Sequence, residues 1–302
     1  MGTADLIIKL VLVVVIFAIS LVVAMYSTYA ERKVAAFLQD RVGPNRAGPF
    51  GILQPLADGA KMFMKEEIIP TRSSGLLFIV GPSLAIMTAC IGSAVIPWGQ
   101  RIVTGSHVID LQVTDINVGI LYIFGVVSLG VYGIMIGGWA SNNKYSLLGA
   151  IRAASQNISY EISMGLSIIA LLMVSGTLSL REIAENQHGF WQHGWFSWYV
   201  FKQPLGFLLF MVCAFAETNR SPFDLPECET ELVGGYHTEY SSMKLGFYLF
   251  AEYINMFISS AVMATLYWGG YNYPGMDWVT AHAGPVIGPL LGTVVVFIKL
   301  FA

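Results

Sequence analysis

Charge is scarce in this chain. Asp, Glu, Lys and Arg make up 12% of its 302 residues, about half the ~25% of an ordinary soluble domain. Sixteen basic and nineteen acidic side chains cannot wet the roughly two soluble domains that this length would otherwise suggest. Cysteine is scarcer still. Cys90, Cys213 and Cys228 form no CxxC pair, and the first two lie in apolar runs, so a zinc or iron–sulfur site in this chain is not expected. Histidine is confined to His107, His188, His193, His237 and His282, none inside a long apolar segment. Paired axial ligands for an intramembrane haem are therefore missing. A net charge of -3 offers nothing to nucleic acid. What is abundant is apolar: 55% of the residues, with a mean hydropathy of +0.64. That excludes disorder and defines a membrane protein.

Seven apolar runs approach the ~20 residues needed to cross ~30 Å of hydrocarbon. They are Leu6 to Ala30, Gly75 to Pro97, Asn117 to Gly138, Ile158 to Gly176, Pro204 to Ala216, Leu245 to Tyr267, and Val286 to the chain end. The first is too long for a signal-peptide core, and Asp5 spoils a basic leader, so it is expected to be an uncleaved span. The fifth is expected to start earlier, in an interfacial belt of Trp191, Trp195, Trp198 and Tyr199. No internal repeat is visible, and the paired broken helices of an inverted-repeat transporter are lacking. The sequence thus predicts one all-α membrane domain over 1–302, a bundle of at least seven transmembrane helices.

Basic residues orient it. Arg32, Lys33, Arg41, Arg46, Lys61, Lys65 and Arg72 follow the first run, Lys144 and Arg152 the third, and Arg220 and Lys244 the fifth. The other side has Lys9, Arg101, Arg181 and Lys202. The bias predicts an outside N-terminus and cytoplasmic loops after spans one, three and five. In the first loop, 31–74, Gly43-Pro44 and Gly48-Pro49 mark turns. A helix over 51–66 then places Ile52, Leu53, Leu56, Ala60, Phe63 and Met64 on one face, with Gln54, Asp58, Lys61 and Lys65 opposite. It is expected to anchor at the interface or cover a cavity.

Ionisable residues inside spans are costly and usually functional. Glu161, Glu217 and Glu252 all fall toward the cytoplasmic side, and Lys299 lies in the last run. Helix-end carboxylates reaching for water would be the plainer explanation, weakest for Glu252. The cytoplasmic loop 217–243 adds Asp224, Glu227, Glu229 and Glu231 against one Arg220, with Pro222, Phe223, Leu225 and Pro226 interleaved. A solvated acidic loop needs no such apolar residues, so this one is expected to fold back on protein. Carboxylates gathered there cannot all ionise near neutral pH, which is what a proton relay requires.

Three stretches resemble a known family. ERKVAAFLQDRVGPNRAGPFGILQPLADGAKMFMKE (31–66), RAASQNISYE (152–161) and AETNRSPFDLPECETELVGGY (216–236) are similar, in order, to the most distinctive segments of the quinone-site membrane subunit of respiratory complex I. The resemblance covers essentially the whole chain. It implies a subunit of a proton-pumping NADH:quinone oxidoreductase in the cell inner membrane, without catalytic activity alone. Its partners would be the other membrane and peripheral subunits, quinone as substrate, and the bilayer. NADH, FMN and iron–sulfur clusters would belong to partner subunits, with no cofactor or metal on this chain. Arg32 and Arg41 match arginines near the quinone tunnel, and Asp58 the acid of the amphipathic helix. With Arg46, Ala60, Lys61 and Phe63 they form the expected tunnel set. Glu161, Glu217, Asp224, Glu227, Glu229, Glu231 and Glu252 match an acidic path from the quinone cavity toward the pumping subunits. The family usually continues past the seventh span with a basic loop and an eighth helix, whereas this chain stops at Ala302, which implies a longer protein.

Competing readings are the related membrane subunit of a membrane-bound hydrogenase, a proton-coupled secondary transporter, and a structural anchor. The intact first stretch favours quinone over hydrogenase. A transporter would show a substrate site at mid-membrane, and an anchor leaves the intramembrane carboxylates unexplained.

Overall fold

The computed structural model describes residues 3–104, 107–188, 197–283 and 286–301. Each apolar run forms a helix: α1 (Thr3–Leu38), α3 (Gly75–Gly92), α4 (Gly119–Ala140), α5 (Lys144–Ser175), α8 (Pro204–Glu217), α10 (Ser242–Tyr267) and α12 (Ile287–Phe301). The first five in length order, α1, α5, α10, α4 and α3, are long and apolar enough to cross a membrane, while α8 and α12 are shorter. Between them lie α2 (Gln54–Met64), α6 (Leu180–Glu185), α7 (Tyr199–Lys202), α9 (Glu229–Leu232) and α11 (Met276–Ala283). A two-stranded antiparallel hairpin, β1 (Ile102–Thr104) with β2 (His107–Ile109), is set in register by Ile102 opposite Ile109. The protein is a multi-pass helical membrane bundle.

Several helices outrun their apolar stretches, for local reasons. Asn143 caps α5 by accepting from the Tyr145 amide at 2.9 Å, so the helix begins well before Ile158. Its far end stops at Gly176, in the left-handed conformation (φ 72°) that glycine adopts without strain. The α2 helix starts at Gln54, with Pro55 in the first turn where its missing N–H costs nothing. Gly51, expected inside that helix, sits in a preceding 3₁₀ turn. Of the expected aromatic belt, Trp191 and Trp195 lie outside the described residues. Tyr199 is buried in the core, where Gln187 receives its amide at 3.1 Å.

The core forms where α3, α4 and α10 meet. Glycines let α3 and α4 approach closely: a Cβ on Gly133 would come within 2.9 Å of the Ala85 backbone nitrogen. The Tyr248 hydroxyl of α10 fills the remaining space, donating to Gly133 O at 3.1 Å. Tyr240 donates to Gly137 O at 3.2 Å and stacks on Phe78 with ring centroids 4.1 Å apart.

The acidic loop folds back on α5. Gln156 of α5 donates to Ala216 O at 2.7 Å and Phe223 O at 2.8 Å, and Arg152 pairs with Glu231 at 2.7 Å. Gly149 permits the contact, since a Cβ there would lie 2.8 Å from Pro226 O.

Candidate functional site

On α10, Tyr248, Glu252, Asn255 and Ser259 follow one another at helical spacing and share a face. That face borders a cavity of about 80 Å³ enclosed by α3, α4, α5, α8 and α10. Glu217, Asn157, Asn219 and Tyr236 supply the rest of its polar lining. Tyr236 donates its hydroxyl to Glu252 at 2.5 Å, and Glu227 lies close enough to Glu252 for the two carboxyls to act on each other.

Loop groups surround this pair. Burial works against ionising Glu227, but the hydrogen bond and charge of His237, with Glu252 and Tyr236 as further hydrogen-bond partners, outweigh it. Its pKa lies below the ordinary carboxylate range. His237 Nδ1 stands 3.4 Å from Glu227 Oε1. Burial, then the charges of Glu252 and Glu227, push the Tyr236 hydroxyl well above the usual tyrosine value. Outside the cavity lining, Ser128 of α4 hydrogen-bonds Glu161 of α5, and Glu161 lies near enough for its charge to act on Glu217.

A second space, about 210 Å³, opens between α1, α2 and α10. Met25, Pro55, Met62, Leu249 and Phe250 make it largely apolar, with Arg32 and Asp58 in the wall. Arg32 pairs with Asp58 at 2.7 Å, and Gln54 donates to the other Asp58 oxygen at 3.1 Å. Polar groups join crevice and cavity. Glu31, beside Arg32, receives the Tyr253 hydroxyl at 2.8 Å and Arg220 at 3.3 Å. The Arg220 guanidinium lies 4.4 Å from the centre of the Tyr253 ring, and its charge reaches Glu252.

The structure gathers some expected residues and separates others. Glu217 and Glu252 line the cavity, with Glu161 close to the first and Glu227 to the second, as Arg32 and Asp58 line the crevice. Arg41 and Arg46 are exposed on the turn after α1. Ala60, Lys61 and Phe63 are exposed on α2 and stand outside the crevice wall. The α2 face turned to the protein is Pro55, Asp58, Gly59 and Met62, which line the crevice against α1 and α10. The apolar arc with Ile52, Leu56 and Phe63 faces outward. Glu229 is exposed, and Glu231 is held by Arg152. Asp224 is exposed as well; burial first, then Glu227 and Glu229, raise its pKa. Tyr236, Tyr248, Tyr253, Asn157, Asn219, Asn255 and His237 are absent from the expected set. For the α10 members, the spacing 248–252–255–259 is a signal in the sequence. Among the described residues, no group of three His, Cys, Asp or Glu stands close enough to hold a metal ion.

An internal cavity bordered by carboxyls and a separate crevice lie between the helices of this multi-pass membrane bundle. The chain belongs to the NADH dehydrogenase family, whose model matches residues 10–302. It is 66% identical over 292 residues to a subunit of the NADH-quinone oxidoreductase of Cytophaga hutchinsonii, covering 97% of this chain and 83% of that protein. It is 62% identical over 300 residues to the like-named NADH-quinone oxidoreductase subunit of Flavobacterium johnsoniae, covering 99% of this chain and 84% of that protein. A more distant relative, NADH-quinone oxidoreductase subunit 8 of Rhodothermus marinus, is 44% identical over 283 residues, 93% of this chain and 80% of that protein.

Proposed function

We propose that this chain is the quinone-site membrane subunit of a proton-translocating NADH:quinone oxidoreductase and links quinone reduction to proton movement. It does not catalyse the reaction alone. NADH, FMN and the iron–sulfur clusters belong to partner subunits, consistent with the lack of metal-ligand spacing in the sequence. The complex sits in the cell inner membrane, with the N-terminus outside and loops 31–74 and 217–243 on the cytoplasmic side, following the bias of Lys and Arg.

The supporting observation is continuity. An apolar crevice suited to an isoprenoid tail carries the Arg32–Asp58 pair in its wall. From there Glu31, Arg220 and Tyr253 lead to Glu252, Glu227 and Glu217 around the cavity. A charge change at the crevice is felt along this line because each member is within hydrogen-bond or ion-pair reach of the next, or acts on it at short range in a low-dielectric interior. Asp224, Glu229, Glu231 and Glu161 flank it as further acids of the relay. Arg41, Arg46, Ala60, Lys61 and Phe63, expected in the tunnel set, are exposed outside the crevice wall, on the outward surface where a peripheral subunit and lipid would cover them.

The test uses Glu217→Gln and Glu252→Gln in the assembled complex. Each keeps shape and removes titration. Quinone reduction coupled to proton translocation is expected to fall by about tenfold or more, while NADH oxidation by ferricyanide persists. Normal proton pumping in both variants would rule the relay out.

A further inference from the structure

The cavity has a side wall that the acids do not explain. Asn255 and Ser259 of α10 point along it beyond Glu252, and neither side chain hydrogen-bonds a protein group among the described residues. Across from them, the buried Asn157 Oδ1 also lacks a partner. Three polar side chains facing one space without protein partners call for water. The 80 Å³ available admits several molecules, each needing ~10–15 Å³.

A separate notch of about 70 Å³ opens on the outer side of α8 and α10, among Met211, Phe215, Met256 and Met263. Thr218 and Ser259 border both the notch and the cavity. Thr218 donates its proton back into α8, to Ala214 O at 3.0 Å, which leaves its oxygen free to accept. Ser259 has both a proton to give and lone pairs to receive. A hydroxyl in this position takes a proton from water on one side as it releases one to the other, with no net change in itself. Ser259 lies seven residues past Glu252, roughly 10 Å farther along the helix axis, away from the acidic loop.

We propose that Ser259, with Thr218, is the side outlet of the acidic cavity: the point where a water-borne proton passes between α8 and α10 to a titratable side chain of an adjoining membrane subunit. This rests on the relay reading above and assigns its exit. Ser259 is a positioning and transfer group, so its function depends on the hydroxyl and on the open notch.

The experiment compares Ser259→Leu, Ser259→Thr and Glu217→Gln in the assembled, membrane-embedded complex, measuring ferricyanide reduction, quinone reduction and proton translocation. With ferricyanide reduction intact, Ser259→Leu is expected to lower coupled quinone reduction at least about tenfold, and Ser259→Thr to retain most of it. Equal losses in the two Ser259 variants would mean a packing role and overturn the outlet. Normal translocation in Ser259→Leu beside a failing Glu217→Gln would overturn the outlet and leave the relay standing. Normal translocation in both would overturn the two together.

Discussion

The two ends of the bundle treat charge differently. At the hairpin end, Asp110 lies between Arg101 at 2.7 Å and Arg181 at 2.8 Å. There Lys299 gives its ammonium protons to three backbone carbonyls, Trp268, Gly270 and Asn272, at 2.6 to 2.7 Å. Each ion is met by fixed partners, and the backbone ends left open by α10 are closed. At the loop end, Glu217 and Glu252 border a cavity, and Glu227 stands close to Glu252. Saturated charges hold a fold in place. Charges left with room and a mobile proton can change state, and their cost is borne elsewhere in the packing.

That contrast is broken most severely at the hairpin end by Arg181→Ala. The Arg181 side chain is only 5% exposed, while its partners Asp110 and Asp115 are 37% and 39% exposed, so its truncation removes packing and hydrogen bonds worth about 1–3 kcal/mol. Thermal unfolding of the detergent-solubilised complex should drop accordingly, whereas Arg101→Ala, at the exposed partner, should cost at most about 1 kcal/mol. Equal losses would show that the hairpin end is not organised around Arg181.

At the loop end, Tyr236→Phe should leave unfolding nearly unchanged yet reduce coupled quinone reduction by about tenfold, since the hydroxyl that steadies Glu252 is gone. A stability loss as large as that of Arg181→Ala would make Tyr236 structural. The crevice gives a smaller and more selective effect. Gly59 borders it with nothing within 4 Å of a built Cβ, while Ala60 faces outward. Gly59→Leu should raise the apparent KM for long-tailed quinone several-fold, and Ala60→Leu should not. The reverse order would place the tunnel on the outer face of α2.

The smallest effect is on pH. Glu227 has a pKa below its unfolded value of about 4.3, so folding favours its ionised form. The resulting stabilisation is complete above that value and is lost as pH falls through the lower folded one. Backbone hydrogen exchange across 217–243 should therefore accelerate below about pH 4, and Glu227→Gln should flatten the response. An unchanged acid response in that variant would assign it to other carboxylates.

The spans are legible because an aliphatic run has no alternative in a bilayer. Glu217 and Glu252 stand out because a charge amid such residues is conspicuous. The helix limits are less visible: α5 reaches back to Lys144 through Arg152 and Gln156, polar residues that pack against a loop distant in sequence. The facing of α2 is harder still. Its hydrophobic arc points outward, and the inward face of Pro55, Asp58, Gly59 and Met62 is set by the Arg32–Asp58 pair and the crevice it lines, which amphipathicity does not measure. Neutral partners such as Tyr236 and Asn157 carry no charge signal at all, and only the fold brings them to the carboxyls.

Tyr248 sets the azimuth of α10. Its hydroxyl reaches across to Gly133 and lies where a Cβ on Gly137 would come within 1.8 Å, so α10 can neither roll nor slide against α4 without losing that fit. Glu252 follows one turn later on the same face. Its bearing toward the cavity is thereby referenced to a neutral contact, indifferent to whether any carboxyl nearby is protonated. The bundle thus carries a fiducial mark beside its titrating groups, and a proton can come and go against a frame that does not turn with it.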